Sequence, residues 1–360
     1  MDRKSVGLRS LLAKRERAES SPGKTLWFGL SFFCAVTLAL APRTSFAQSA
    51  ALFNRMDFSL TAHLKNLKFK WPLKALLFWN QKDRRFVCVS PLTKREFHNP
   101  INIDKLLRTK KGNCADLSSA QLMGVPLYHA RLIGASLESA DLTNANFAMS
   151  DLRSATLIKA TSLGGTLFDG ADLSGAQLNS VSFQSPKMIK TNLENSDMTD
   201  SILSGADFSE ALLTQTKFVS SDIEGARFVG AAMENANLTG ADAKKNPRTG
   251  KATDFSGARM ENAKFDGANL SDADFSDSDL AHASFQDANL GEANFSDANL
   301  EGAALNAQTL SWTHFDRADL RGAKITALLT GATLTGAVYD SKTILPFDDA
   351  EAQKLGMIKK

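Results

Sequence analysis

The chain has 360 residues, 42 Lys and Arg against 39 Asp and Glu, and three cysteines. The near balance hides a divide: residues 1–111 carry 22 basic and 7 acidic side chains, whereas residues 112–360 carry 20 and 32. Three cysteines exclude a disulfide-built scaffold, and an acidic body excludes ordinary electrostatic binding of nucleic acid by residues 112–360.

The first element is an apolar run over residues 26–41, LWFGLSFFCAVTLALA. It is shorter than the roughly 20 residues of a membrane span and suits the core of a signal peptide. Arg3, Lys4, Arg9, Lys14, Arg15, Arg17 and Lys24 precede it, and Ser45 and Ala47 supply small residues at the −3 and −1 places of a cleavage site. Residues 1–47 are therefore read as a signal or targeting segment, cut before Gln48. The basic leader is longer than a simple signal needs, which leaves open a two-part presequence or an uncleaved anchor through residues 26–41. In each case the charge bias keeps the leader inside and sends the rest across.

Residues 48–98 form a basic, partly amphipathic extension, expected to be mostly helical. Leu60, Leu64, Leu67 and Trp71 fall at helical spacing beside Lys65, Lys68 and Lys70. Pro72 ends that segment, and a second apolar patch follows at Leu73, Leu76, Leu77, Phe78 and Trp79. One reading packs this helix on the end of the following domain with its lysines in water. The other is a membrane-surface contact through residues 58–79. Ile103 to Leu107 predicts a short capping helix within residues 99–113. Cys34 leaves with a cleaved leader; Cys88 and Cys114 are read as two free thiols, with pairing the alternative in an oxidising compartment.

From Cys114 a large apolar residue recurs every fifth position: Leu117, Leu122, Leu127, Leu132, Leu137, Leu142, Phe147, Leu152 and Leu157. After a one-residue slip near Leu163, a second block runs from Phe168 to Leu238, a third from Phe255 to Ile325, and a final shift gives Leu329, Leu334 and Tyr339. Period five is neither that of a helix nor that of a flat strand; sustained over about 43 units it predicts a solenoid at residues 114–345, with a tail or cap at 346–360. In the third block the residue two before the large one is Ala in 11 of 15 units, and Asp or Asn usually stands between, giving A-[DN]-[LF]-x-x. A small and a large apolar residue two apart can point to one side of an extended segment, and Gly, Asn, Asp and Ser supply the turn. Phe255, Phe275, Phe295 and Phe315 are spaced by 20, as are Phe265 and Phe285 on an offset of 10. A coil of four units would stack each set on opposite walls.

These units resemble the pentapeptide-repeat family. The resemblance implies an all-β, right-handed quadrilateral parallel β-helix, here of about 11 coils at four units each. Leu106-Leu107-Arg108-Thr109-Lys110 before Cys114-Ala115-Asp116-Leu117 is similar to the lead-in of exported cyanobacterial and plastid members. Tyr339-Asp340-Ser341-Lys342-Thr343, followed by Pro346, resembles their closing segment. Many of those members carry a second cysteine close to the first, which Gly112-Asn113 does not supply.

The clearest interruption is Lys244-Lys245-Asn246-Pro247-Arg248-Thr249-Gly250-Lys251, where Leu238 to Phe255 spans two residues more than three units. It is read as a tolerated surface bulge, with a partner contact as the alternative. No catalytic, cofactor-binding or metal site is assigned. His63, His98, His129, His282 and His314 are scattered, and no Walker loop, dinucleotide fingerprint or G-x-S-x-G occurs. The expectation is a non-enzymatic structural or protein-binding scaffold in a thylakoid lumen or periplasm, without cofactors and without a nucleic-acid partner. The rival is an acidic mimic of DNA that binds a type II topoisomerase, since residues 254–301 hold 11 acids and 2 bases.

Overall fold

The computed structural model describes residues 76–80, 85–89 and 98–360. The described residues all belong to one compact unit, Pro72–Lys360. The expected leader, the anchor alternative at 26–41 and the amphipathic helix carrying Leu60, Leu64, Leu67 and Trp71 lie outside the described residues.

Residues 111–344 wind as a coil of period 20. Parallel bridges link Asp254 to Asp274, Asp274 to Asn294 and Asn294 to His314, and three other series, such as Arg259–Asp279–Asn299, Lys264–Ser284–Ala304 and Asn269–Asn289–Thr309, run beside it. Four series per period make four faces. We number them by their first bridged residues: Lys111, Asp116, Gln121 and Pro126. Each bridge is short because each face holds one unit. Phe255 N–H donates to Asp274 O at 2.7 Å and Asp274 N–H to Thr253 O at 2.9 Å, so the Asp or Asn of the unit is the bridging residue. The flanking Ala and large residue both point inward, as at Ala273 and Phe275, each fully buried.

The corner after each unit is a turn closed from the large residue to the next small one, as in Ala258 N–H to Phe255 O at 3.1 Å. Its third residue is left-handed: Gly257 has φ 64° and Asp277 has φ 58°. Small polar residues recur there because that region is least costly for Gly, Asn and Asp.

The interior is a column of apolar rings and methyls. On the fourth face Phe208, Phe228, Phe255, Phe275, Phe295 and Phe315 stack with centroids 4.8–5.3 Å apart. On the second face Phe265 and Phe285 stack at 4.9 Å. The two columns meet edge to face, as for Phe265 and Phe275 at 5.6 Å and 87°. Where a hydroxyl replaces the small Ala, it is satisfied from within. Thr191, Thr216 and Thr313 donate to the carbonyls of Phe168, Leu193 and Leu290, each 23 residues upstream, at 2.8–2.9 Å. Ser196 Oγ is the exception, buried without a partner.

Register breaks are absorbed at corners. The slip at Leu163 lengthens one coil to 21 residues, as in Asn146–Leu167, and turns Leu163 out to solvent. The final shift shortens one coil to 19, His314–Thr333. The interruption at 244–251 is larger than its spacing indicated. Arg227 bridges Asp254, so seven residues are inserted in a single corner after Ala243. Counting large residues hid this, because seven and two are equivalent modulo five and the inward residue there is an Ala.

The extension is corrected where it is described. Strands β1 (Leu76–Asn80) and β2 (Arg85–Val89) form an antiparallel hairpin, Leu76 opposite Val89 and Asn80 opposite Arg85. The β-branched and aromatic run Phe86-Val87-Cys88-Val89 favours a strand over a helix. The hairpin lies on the corner between the first and second faces. Phe86 N–H donates to Ser154 Oγ at 2.8 Å, and the Arg153 guanidinium sits 5.5 Å from the Phe86 ring centre.

The thiols are corrected too: Cys88 and Cys114 are joined by a disulfide, with Cα atoms 5.6 Å apart. The bond spans 26 residues of sequence, so no local cysteine motif announces it. It needs a glycine beneath: a Cβ on Gly134, itself at φ 62°, would lie 2.6 Å from Cys88 Sγ.

Short β3 (Asn99–Pro100) pairs in parallel with β4 (Ala115–Asp116), and between them helix α1 (Ile103–Thr109) closes the coil. The Asn102 side chain accepts from Lys105 N–H at 3.0 Å, and Lys110 ends the helix in a left-handed conformation. Leu106 is fully buried. It fills the first inward slot because Gly112 leaves it empty: a Cβ there would be 2.8 Å from both Leu106 and Leu132 methyls. At the other end helix α2 (Asp349–Lys354), capped by Asp348, buries Ala352. Strand β6 (Ile358–Lys359) then pairs in parallel with β5 (Val338–Tyr339).

Candidate interaction surface

The Asp and Asn residues of the units have two kinds of environment. The bridging ones hold the fold. Asp274 Oδ1 accepts from Ser276 N–H and from Asn294 Nδ2, both at 3.0 Å. Asp279 does the same with Ala281 N–H at 3.2 Å and Asn299 Nδ2 at 2.9 Å. Asp141 takes the Thr143 hydroxyl and amide, which hold its carboxyl below the ordinary value. The corner acids Asp272, Asp277, Asp287, Glu292 and Asp297 instead stand at left-handed positions with φ between 56° and 60°. Asp277, Asp287 and Glu292 stand exposed, while Asp272 and Asp297 have cationic neighbours in Lys245 and Arg317.

The corners differ. Between the third and fourth faces the stacked turn residues are Asp272, Glu292, Trp312 and Gly331, joined rung to rung by Glu292 N–H to Ser311 O and Trp312 N–H to Thr330 O at 2.9 Å. Between the fourth and first faces Asp277, Asp297 and Arg317 follow one another. Arg317 forks onto Asp297, which lowers the Asp297 pKa. Trp312 is 62 % exposed. With Glu292 and His314 it lines an open groove of about 420 Å³. His314 Nδ1 lies 3.2 Å from Thr333 Oγ1.

The 244–251 loop is built, not loose. Asn246 is buried, its Oδ1 accepts from Arg248 and Thr249 N–H at 3.0 Å, and its N–H donates to Lys251 O at 2.7 Å. Thr253 Oγ1 accepts from Gly225 N–H at 2.9 Å. Lys244 is pinned between Asp242 at 2.6 Å and Glu224 at 2.9 Å, and these two carboxylates raise its pKa. Lys245 leans toward Asp272 at 3.8 Å. Arg248 and Lys251 are exposed.

Among the described residues no group of three His, Cys, Asp or Glu is placed to hold a metal ion. His129 and His282 are exposed corner residues at φ 56° and 59°. No described helix is long and apolar enough to cross a membrane. Of the 58–79 segment, residues 76–79 stand in β1 and the rest lie outside the described residues. The Glu292–Trp312–His314 groove had one signal in the sequence: a Trp in the slot that other units mostly give to Gly, Asp, Asn or Ser. The Cys88–Cys114 bond had a weak one: these are the two cysteines outside the leader, and their pairing stood as the alternative to free thiols.

A family model described as pentapeptide repeats matches residues 115–157, 176–215 and 216–245, and one described as a pentapeptide repeat region matches 253–333. The chain belongs to the pentapeptide-repeat family. The matched windows cover more than half of it, and the family fold is the right-handed quadrilateral β-helix. Among solved structures, the pentapeptide repeat protein HetL, involved in heterocyst differentiation regulation in the cyanobacterium Nostoc sp. strain PCC 7120, is 25% identical, with 68% of this chain and 100% of HetL covered and a TM-score of 0.35. A pentapeptide repeat protein of the Arabidopsis thaliana thylakoid lumen is 23% identical over 42% of this chain and 75% of its own, with a TM-score of 0.22. Full-length QnrB1, a plasmid-mediated fluoroquinolone resistance protein, is 18% identical over 61% and 97%, again with a TM-score of 0.22. No curated protein matches. At such TM-scores these likenesses carry no argument about function in this pentapeptide solenoid.

Proposed function

We propose that this pentapeptide protein is a non-enzymatic protein-binding scaffold that acts across a membrane, in a thylakoid lumen or a periplasm. In that reading residues 1–47 are the targeting segment, 48–98 the extension, 99–113 the cap, 114–345 the solenoid and 346–360 the tail. About 43 units make about 11 coils, which at ~4.8 Å each give a rod roughly 50 Å long. The observation that carries it is the Cys88–Cys114 disulfide on a chain with an export-like leader, because such bonds persist in oxidising compartments and are rare in the cytosol. A regular outer surface presents many equivalent side chains and encloses no substrate, which suits binding along a length and not catalysis at a point.

The topoisomerase-binding mimic draws support from the 11 acids of residues 254–301. Against it, Asp254, Asp272 and Asp297 are paired with Arg227, Lys245 and Arg317, so fewer carboxylates stand free than the composition promises. Titration against a type II topoisomerase separates the two readings. No binding is expected at physiological salt. Saturable binding that falls steeply with salt, joined to a cytoplasmic location, would make the mimic the better account.

A further inference from the structure

Trp312 is the one large aromatic at a left-handed corner among the described residues, with φ 62°. The other such corners are mostly Gly, Ser, Asn and Asp. The core does not need it: the neighbouring inward positions are filled by Leu310, Thr313 and Phe315, all fully buried. The indole is nonetheless held in place. Gly331, one coil on, is bare beneath it, and a Cβ there would come within 2.6–2.9 Å of three indole carbons. On the other side of the corner stand Glu292 one coil back and Asp272 two coils back, with Asp274 on the adjoining face.

We propose that the Glu292–Trp312–His314 groove is a docking point for a lysine or arginine side chain on a basic segment of a partner protein. This deepens the scaffold reading and rests on it. An indole beside a carboxylate is the pairing that recognises an ammonium or guanidinium group, through the negative ring face and a charge-assisted hydrogen bond. The surrounding corner acids bias the approach toward a positive partner. The groove is open, so it takes one long side chain projecting from a surface and does not enclose a small molecule. Trp is also among the residue types enriched at the energetic centres of protein interfaces.

The test uses the full chain and a fluorescein-labelled arginine-glycine peptide, followed by anisotropy at about 0.15 M salt. Trp312→Asn keeps a residue that tolerates the left-handed corner, so the fold is retained and a thermal melt verifies it. We expect Trp312→Asn to weaken peptide binding about fivefold or more, and Trp312→Phe to restore most of it. Glu292→Gln should weaken binding more than Asp287→Asn, which removes the same charge from a different corner. Unchanged binding in Trp312→Asn, equal effects of the two charge removals, or no binding by the wild type would each overturn the docking point. None of these results touches the compartment, on which the scaffold reading is decided separately.

Discussion

Phe275 and Phe295, twenty residues apart in sequence, lie with ring centres 4.8 Å apart and planes 4° from parallel. That separation is the spacing of neighbouring strands, so the two rings occupy successive coils on one face. The ring series ties the sequence period to the four-sided coil more tightly than any single hydrogen bond.

Phe275→Ala should cost about 3–5 kcal/mol, because a fully buried ring is lost between two others and the coil cannot collapse into the gap. A urea melt checks this. The slope of the transition should hold while its midpoint falls.

Ser196→Ala should leave the protein as stable or raise its stability by about 1 kcal/mol, because the buried Ser196 hydroxyl has no partner. Thr191→Val, at an equivalent inward slot, should do the opposite, since Thr191 Oγ1 donates to Phe168 O at 2.8 Å. Thermal melts of the two variants side by side measure the contrast.

The acids of residues 254–301 should separate by position. Asp274→Ala removes an acceptor for Ser276 N–H and Asn294 Nδ2 and should destabilise by about 1 kcal/mol. Asp272→Asn at its half-buried corner, where Lys245 approaches to 3.8 Å, should change stability by less than about 0.5 kcal/mol. A surface charge reversal designed to leave the coil intact therefore belongs at Asp272 and Asp277, not at Asp274 and Asp279.

Acid should loosen the closing turn. Gly322 N–H, the Thr343 hydroxyl and the Lys342 and Thr343 amides all point at Asp340 Oδ1 and lower its pKa, in that order of importance for the first two. Arg321 lowers that of Asp319. A carboxyl whose folded pKa lies below its unfolded one adds stability that is complete above the unfolded value and is lost as pH falls through the folded one. The melting temperature should therefore hold down to about pH 5 and fall below about pH 4. Asp340→Asn should be less stable at neutral pH and show a smaller loss on acidification.

The repeat was legible because every unit obeys one local rule. An inward large residue every fifth position and phenylalanines every twentieth already specify four walls. What the sequence hid depends on contacts between distant segments. Cys88 meets Cys114 only because the hairpin folds along a corner cleared by Gly134. The seven inserted residues at 244–251 look like two, because an Ala stands where the pattern has a large residue. The hairpin itself was misread because Leu76 to Trp79 follow an amphipathic run and lack a strand's alternation. In the interaction surface, the total of acids was legible, but not their division into turn-holding and corner ones, since Asp272 and Asp274 differ only by their place in the unit.

The central claim, a scaffold sent across a membrane into an oxidising compartment, is tested most directly by one intact-mass measurement. The protein is taken from its host without reductant and treated with an alkylating reagent. The account predicts a chain starting at or near Gln48, with no alkylated thiol and two hydrogens missing for the Cys88–Cys114 bond. A chain starting at Met1 with its cysteines alkylated would contradict it.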